Sequence, residues 1–170
     1  PKGASFKIGI GVDNGVRNIR AMSDNAGDFL RGFDTARSIE GGKLDLTGDY
    51  DDTSPAHALR GTAILTDFRV RGAPFLGKVL QAMTFYGLVD VLSGPGLGFA
   101  KATAPFVLAD EEVELKDVRA FSPSLGLTAK GRIDSYNETL ALEGTIVPAY
   151  FFNSLLGNIP FLGNLFKTEE

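Results

Sequence analysis

The sequence predicts a mainly β fold of the α+β type: a curved antiparallel sheet forming an open groove or incomplete barrel, with two or three amphipathic helices on its concave side or at its end. Three observations predict it. Segments of alternating apolar and polar residues recur along the chain, separated by short turn signals, which is the pattern of strands with one greasy and one wet face. Two other stretches are apolar at helical spacing and each carries a proline where a first turn belongs. Finally, the aromatics are 13 Phe and 4 Tyr with no Trp, a composition that fills or lines apolar space without grading it into water.

The elements follow in order. Ser5 to Val12 alternates, with Phe6, Ile8, Ile10 and Val12 on one face. Asp13-Asn14-Gly15 is a tight-turn signal, and Val16 to Ser23 is the returning strand. Asp24 or Asn25 caps a short helix through Phe33, on which Phe29, Leu30 and Phe33 share a face. Gly41-Gly42 opens a strand over Lys43 to Tyr50, alternating on Leu44, Leu46, Gly48 and Tyr50. Asp51 to Pro55 is a polar loop. Leu59 to Arg71 is a long strand with Ile64, Phe68 and Val70 on one side.

Gly72-Ala73-Pro74 starts a helix of about five turns, with Phe75, Leu76, Val79, Leu80, Met83, Tyr86 and Leu92 in its apolar stripe; Ser93-Gly94-Pro95-Gly96 stops it. Three or four strands follow, over Phe99–Leu108, Glu112–Phe121, Leu125–Ser135 and Leu140–Val147. Leu125, Leu127, Ala129 and Ile133 face one way in the third of these, and Leu140, Leu142 and Ile146 in the fourth. Gly144 to Phe166 carries no charged residue but contains Pro148, Pro160, Gly157 and Gly163. A spanning helix needs about 20 apolar residues in an unbroken run, and these prolines interrupt one. The stretch reads as a strand exit, a short greasy helix from Ala149 to Leu156, a turn, and a second helix opened by Pro160. Pro160-Phe161-Leu162-Gly163 echoes Pro74-Phe75-Leu76-Gly77, as if one strand–helix device were used twice.

At 170 residues the chain is read as one domain over residues 1–170. It is 44% apolar and 22% charged, an ordinary globular composition. A net charge of −4 points away from nucleic acid. The absence of cysteine removes disulfides, thiolate chemistry and Cys-ligated metals, and is compatible with the bacterial periplasm. The chain starts at Pro1 with no signal-like apolar run, which predicts an excised fragment or a processed product.

Motifs that suggest chemistry give way to plainer readings. Gly9-Ile10-Gly11 and Gly94 to Gly98 lack the strand-then-helix setting of a phosphate cradle. His57, the one histidine, sits in a polar loop with no Gly-x-Ser-x-Gly turn beside a nucleophile. Asp49 to Asp52 and Asp110 to Glu112 lack the ligand ladder of a calcium loop. Asn137-Glu138-Thr139 fits a glycosylation acceptor and equally a turn between strands. Nothing converges as nucleophile, base or metal set, so the chain is expected to be no enzyme and to need no cofactor.

The run Leu142-Glu143-Gly144-Thr145-Ile146-Val147-Pro148-Ala149-Tyr150, with Asn153-Ser154, Leu156-Gly157, Ile159-Pro160 and Leu162-Gly163, resembles the C-terminal signature of AsmA-like proteins. Gly61, Asp67-Phe68-Arg69-Val70, Ala73-Pro74, Gly87-Leu88 and Gly131-Arg132-Ile133-Asp134 fall in the family's order. The resemblance covers the chain from about Gly41 onward. It implies an AsmA-like C-terminal domain fragment of a protein anchored in the inner membrane of Gram-negative bacteria. Such proteins, relatives of TamB, extend through the periplasm as a long sheet with a hydrophobic groove and are implicated in carrying phospholipid to the outer membrane. Members continue past this motif, which implies a closing strand beyond Glu170.

The expected function is therefore a non-enzymatic periplasmic lipid-binding module, taking phospholipid or another acyl lipid and contacting the outer membrane. Acyl chains are expected against Phe6, Ile8, Phe68, Leu125, Leu127, Leu140 and Leu142 of the sheet and Phe75, Val79, Phe151, Phe152 and Phe161 of the helices. Leu65 alternates with Phe68 as the lining residue of its strand, since a one-residue slip exchanges the faces. The alternative is a scaffold or assembly module for outer-membrane biogenesis that docks a protein partner and carries no lipid.

Overall fold

The computed structural model describes residues 5–32, 37–82, 94–110, 112–134 and 139–148, and of Pro74, Phe75, Val79 and Ala82 the backbone alone. Strands β1 (Phe6–Asp13) and β2 (Val16–Ser23) form a hairpin closed by Asn14 and Gly15. Both turn residues are left-handed, with φ of 49° and 80°, the two-residue geometry whose twist matches that of the flanking strands. Helix α1 (Ala26–Gly32) follows, then β3 (Ile39–Tyr50), β4 (Leu59–Val70), helix α2 (Pro74–Ala82), β5 (Leu97–Ala109), β6 (Glu112–Phe121), β7 (Leu125–Asp134) and β8 (Thr139–Pro148). The strands lie in chain order in one eight-stranded sheet, each antiparallel to the next. Among the described residues neither β1 nor β8 has a second strand partner, and the sheet is open.

Three expectations need correction. Gly41 and Gly42 do not precede β3 but lie inside it, where Ile39, Glu40 and Gly41 already pair with Val70, Arg69 and Phe68. A Cβ on Gly42 would stand 2.6 Å from that of Phe68, so the close approach of β4 requires glycine there. Next, Ile64 and Phe68 do not share a face. Asp67 takes a left-handed φ of 54° and breaks the alternation, so Phe68 turns to the side of Leu65 while Ile64 stands opposite Asp45 and Thr103. Lastly, β5 begins at Leu97, two residues before the expected Phe99. The continuation of α2 beyond Ala82 and everything expected after Pro148 lie outside the described residues.

The core gathers where the two helices meet the sheet. Leu80 of α2, Leu97 and Leu125 are fully buried there, with Ala26, Leu44, Leu65, Phe68, Phe99, Ala102 and Ala120 around them. Asn25 caps α1, its side-chain oxygen accepting from the Asp28 amide at 3.1 Å. Ser23, the buried polar residue of this region, is hydrogen-bonded to Ser5 and Asn25.

Asp24 fastens the start of β1 to this end. Its carboxylate accepts the Ser5 hydroxyl at 2.8 Å and the Ser5 amide at 2.7 Å, which hold its pKa below the ordinary 3.8. A carboxyl depressed on folding adds stability above its unfolded pKa and loses it as the pH falls through the folded one. Asp24→Asn is expected to remove that contribution. Its urea midpoint should lie below that of the parent at pH 7, and the gap should close on acidification below about pH 4; an equal gap at both pH values would contradict the assignment.

Candidate functional site

Residues directly opposite each other in adjacent strands point to the same face, so the register defines two surfaces. One row on the first face runs across all eight strands: Phe6, Ser23, Leu44, Leu65, Ala102, Ala120, Leu127 and Ile146. A second complete row lies further from the helices: Ile10, Ile19, Gly48, Gly61, Phe106, Leu115, Gly131 and Leu142. Beyond it, Tyr50, Leu59, Leu108, Val113, Ile133 and Leu140 make a third from β3 to β8. Apart from the buried Ser23, these rows are apolar from edge to edge.

The opposite face is polar. It carries Arg20–Asp45 at 3.1 Å, Arg119–Asp117 at 2.7 Å and Lys130–Glu143 at 2.9 Å, with Thr128 opposite Thr145. Glu143 and Asp117 raise the pKa of Lys130 and Arg119 by hydrogen bonding. Such exposed pairs add little to stability; their effect is to keep this surface in water.

Coverage of the apolar face is uneven. At the helix end it is packed: Phe68 is 5% exposed, and its ring stacks on Phe99 with centroids 5.3 Å apart. Away from that end, Ile10 is 64%, Leu108 38% and Leu140 49% exposed, and Leu115, Ile133 and Leu142 are half-buried. One bulge, an extra residue of β6 between Leu115 and Val118, interrupts its pairing with both β5 and β7.

The expected lining residues divide accordingly. Phe6 and Ile8 are exposed on β1, although Phe6 also meets Phe29 of α1 edge to face at 6.0 Å. Phe68 and Leu125 lie in the core, and Leu127 is half-buried against it. Leu140 and Leu142 sit on the uncovered part. Phe75 and Val79 fall on α2, where the backbone alone is described, and Phe151, Phe152 and Phe161 lie outside the described residues. Phe106 keeps the uninterrupted alternation of Ala102, Ala104 and Leu108; Val113 and Leu115 were hidden from sequence reasoning because the β6 bulge shifts the alternation. The signal that could have found them is two phases of alternation in one strand, Val113/Leu115 and then Val118/Ala120.

One polar cluster borders the far end of this face. Arg17 donates from Nε and Nη2 to the Asp52 carboxylate and lies 4.1 Å over the Tyr50 ring. Arg17 holds Asp52 below the ordinary carboxylate range, chiefly by hydrogen bonding. His57 Nδ1 is 3.5 Å from the same carboxylate. The cluster ties the β3–β4 loop to β2. Among the described residues no group of His, Asp and Glu is placed to hold a metal ion, and no helix is long and apolar enough to cross a membrane.

The arrangement defines an open antiparallel meander with one apolar and one polar face. No family model matches the chain, and no curated protein or solved structure matches it.

Proposed function

We propose that the chain is a non-enzymatic lipid-binding module of an AsmA-like protein, anchored in the inner membrane and working in the periplasm, whose apolar face takes the acyl chains of phospholipid on its way to the outer membrane. One observation carries this reading: the apolar face crosses all eight strands, and among the described residues α1 and α2 cover one end of it. Support for a groove comes from glycines on that face. A Cβ on Gly61, Gly131 or Gly144 would run into the backbone of the neighbouring strand, so the strands crowd together on the apolar side and bend the sheet toward it. In this reading α1 and α2 plug the helix end of the groove. Each methylene drawn out of water adds about 0.8 kcal/mol, and the scarcity of polar groups on the face leaves headgroup selectivity low.

Organic extracts of the purified protein are expected to contain phospholipid by mass spectrometry, and the stripped protein should take up a fluorescent phospholipid. Leu108→Glu combined with Leu142→Glu places charge on the uncovered rows and should abolish uptake while the circular dichroism spectrum stays unchanged. A lipid-free extract together with no uptake would sink the proposal.

A further inference from the structure

We infer that Arg17 is the phosphate anchor of the apolar face: its guanidinium holds the phosphodiester of a phospholipid whose acyl chains lie along the rows between it and the helices. The inference rests on the lipid reading and adds to it the class of lipid that the face prefers.

Arg17 breaks the pattern of its strand. Val12 stands opposite it on β1, and Ile19, two residues on, belongs to the second apolar row. Arg17 therefore falls on the apolar face and carries the third row on to β2. Among the described residues it is the one charged side chain in the rows that start at Phe6, Ile8, Ile10 and Val12. A charge set among apolar rows needs partners to hold it there.

Those partners leave half of its donors free. The Tyr50 ring supports one face of the guanidinium, with its centroid 4.1 Å from Cζ. The Asp52 carboxylate accepts from Nε at 3.1 Å and from Nη2 at 2.5 Å, which occupies one edge of the fork. The other edge, Nη1 with the second Nη2 hydrogen, meets no acceptor among the described residues, and the side chain is 41% exposed. Tying the loop to β2 uses the Asp52 edge alone. Parallel N–H donors on a planar cation fixed in this way match two oxygens of a phosphate.

The spacing fits as well. From Arg17 to the buried Ser23, β2 rises about 20 Å. An acyl chain spans half of a hydrocarbon core of about 30 Å, so a lipid held at Arg17 lays its chains over the intervening rows and stops short of the packed end. The phosphodiester is common to phospholipids. This contact separates them from lipids without phosphate and leaves the headgroup alcohol unread.

Uptake by the stripped protein is compared for phosphatidylcholine and diacylglycerol with the same acyl chains, one of them fluorescent. The parent is expected to bind phosphatidylcholine about tenfold more tightly. Arg17→Gln should bind the two alike, and Arg17→Lys should keep part of the preference, as a point charge without the fork. Asp52→Asn weakens the tie to the loop but leaves the guanidinium, and should retain the preference. Glycerophosphocholine, the same phosphodiester without acyl chains, should not displace the lipid at equal concentration. Equal binding of the two lipids by the parent would overturn the inference and leave the lipid reading standing; uptake of neither would overturn both. A preference that survives Arg17→Gln, or that Asp52→Asn abolishes as completely, would assign the pair to the loop alone and overturn the inference. Displacement by glycerophosphocholine would do so too, since the site would then serve soluble phosphodiesters.

Discussion

Replacing Phe68 with alanine is expected to destabilise the fold by about 3–5 kcal/mol. The ring is almost wholly buried, stacks on Phe99 at an interplanar angle of 10°, and closes the core formed with Leu65, Leu80 and Leu97. Removal leaves a cavity lined by groups that the sheet and α2 hold apart, so collapse is limited. For a domain stable by about 5–15 kcal/mol, such a loss brings unfolding within reach of mild denaturant. Urea titration should show a lower midpoint with an unchanged slope. Phe68→Leu keeps most of the volume and should cost far less. Because Phe68 lies at the helix-covered end, lipid uptake per folded molecule should be unaffected in the leucine variant. A midpoint for the alanine variant equal to that of the parent would mean that this end is not packed as described.

The second large effect is expected at Gly61, where valine should cost about 3 kcal/mol or more. Gly61 pairs with Gly48 on one side and with Phe106 on the other. A Cβ at position 61 would meet the Thr47 carbonyl oxygen, approach Phe106 Cζ to 2.9 Å and approach Gly48 Cα to 3.0 Å. The aromatic ring can swing away, but the backbone of β3 cannot move without breaking its ladder. Phe106→Ala in the Gly61→Val background is therefore expected to leave most of the loss in place. Thermal unfolding of the single and double variants measures this; full recovery in the double variant would assign the crowding to the ring instead of the neighbouring strand.

Much of the strand plan was legible because hairpin chemistry and alternation are local. Asn14-Gly15 announced the first turn, and β6 spans the expected residues. The faces assigned to the last two strands meet in register, Leu127 with Ile146 and Ile133 with Leu140. Elsewhere the reading failed for identifiable reasons. Asp67 shows no sign in a single sequence that it will adopt a left-handed conformation, and that one residue decided which of Ile64 and Phe68 entered the core. The bulge on β6 put Val113 and Leu115 out of phase with Val118 and Ala120. Among the candidate lining residues, Leu140 and Leu142 fell on the uncovered face, whereas Phe68 and Leu125 were taken up by the core. Hydrophobicity marks both kinds of position alike.

By itself, the sequence determined that this chain builds amphipathic antiparallel strands joined by tight turns, since side-chain period and turn geometry depend on neighbouring residues. The tertiary structure alone decided that the eight described strands form one open sheet, which part of its apolar face α1 and α2 cover, and where the strands crowd at Gly61. Those outcomes depend on register and packing between residues distant along the chain, and no local pattern encodes them.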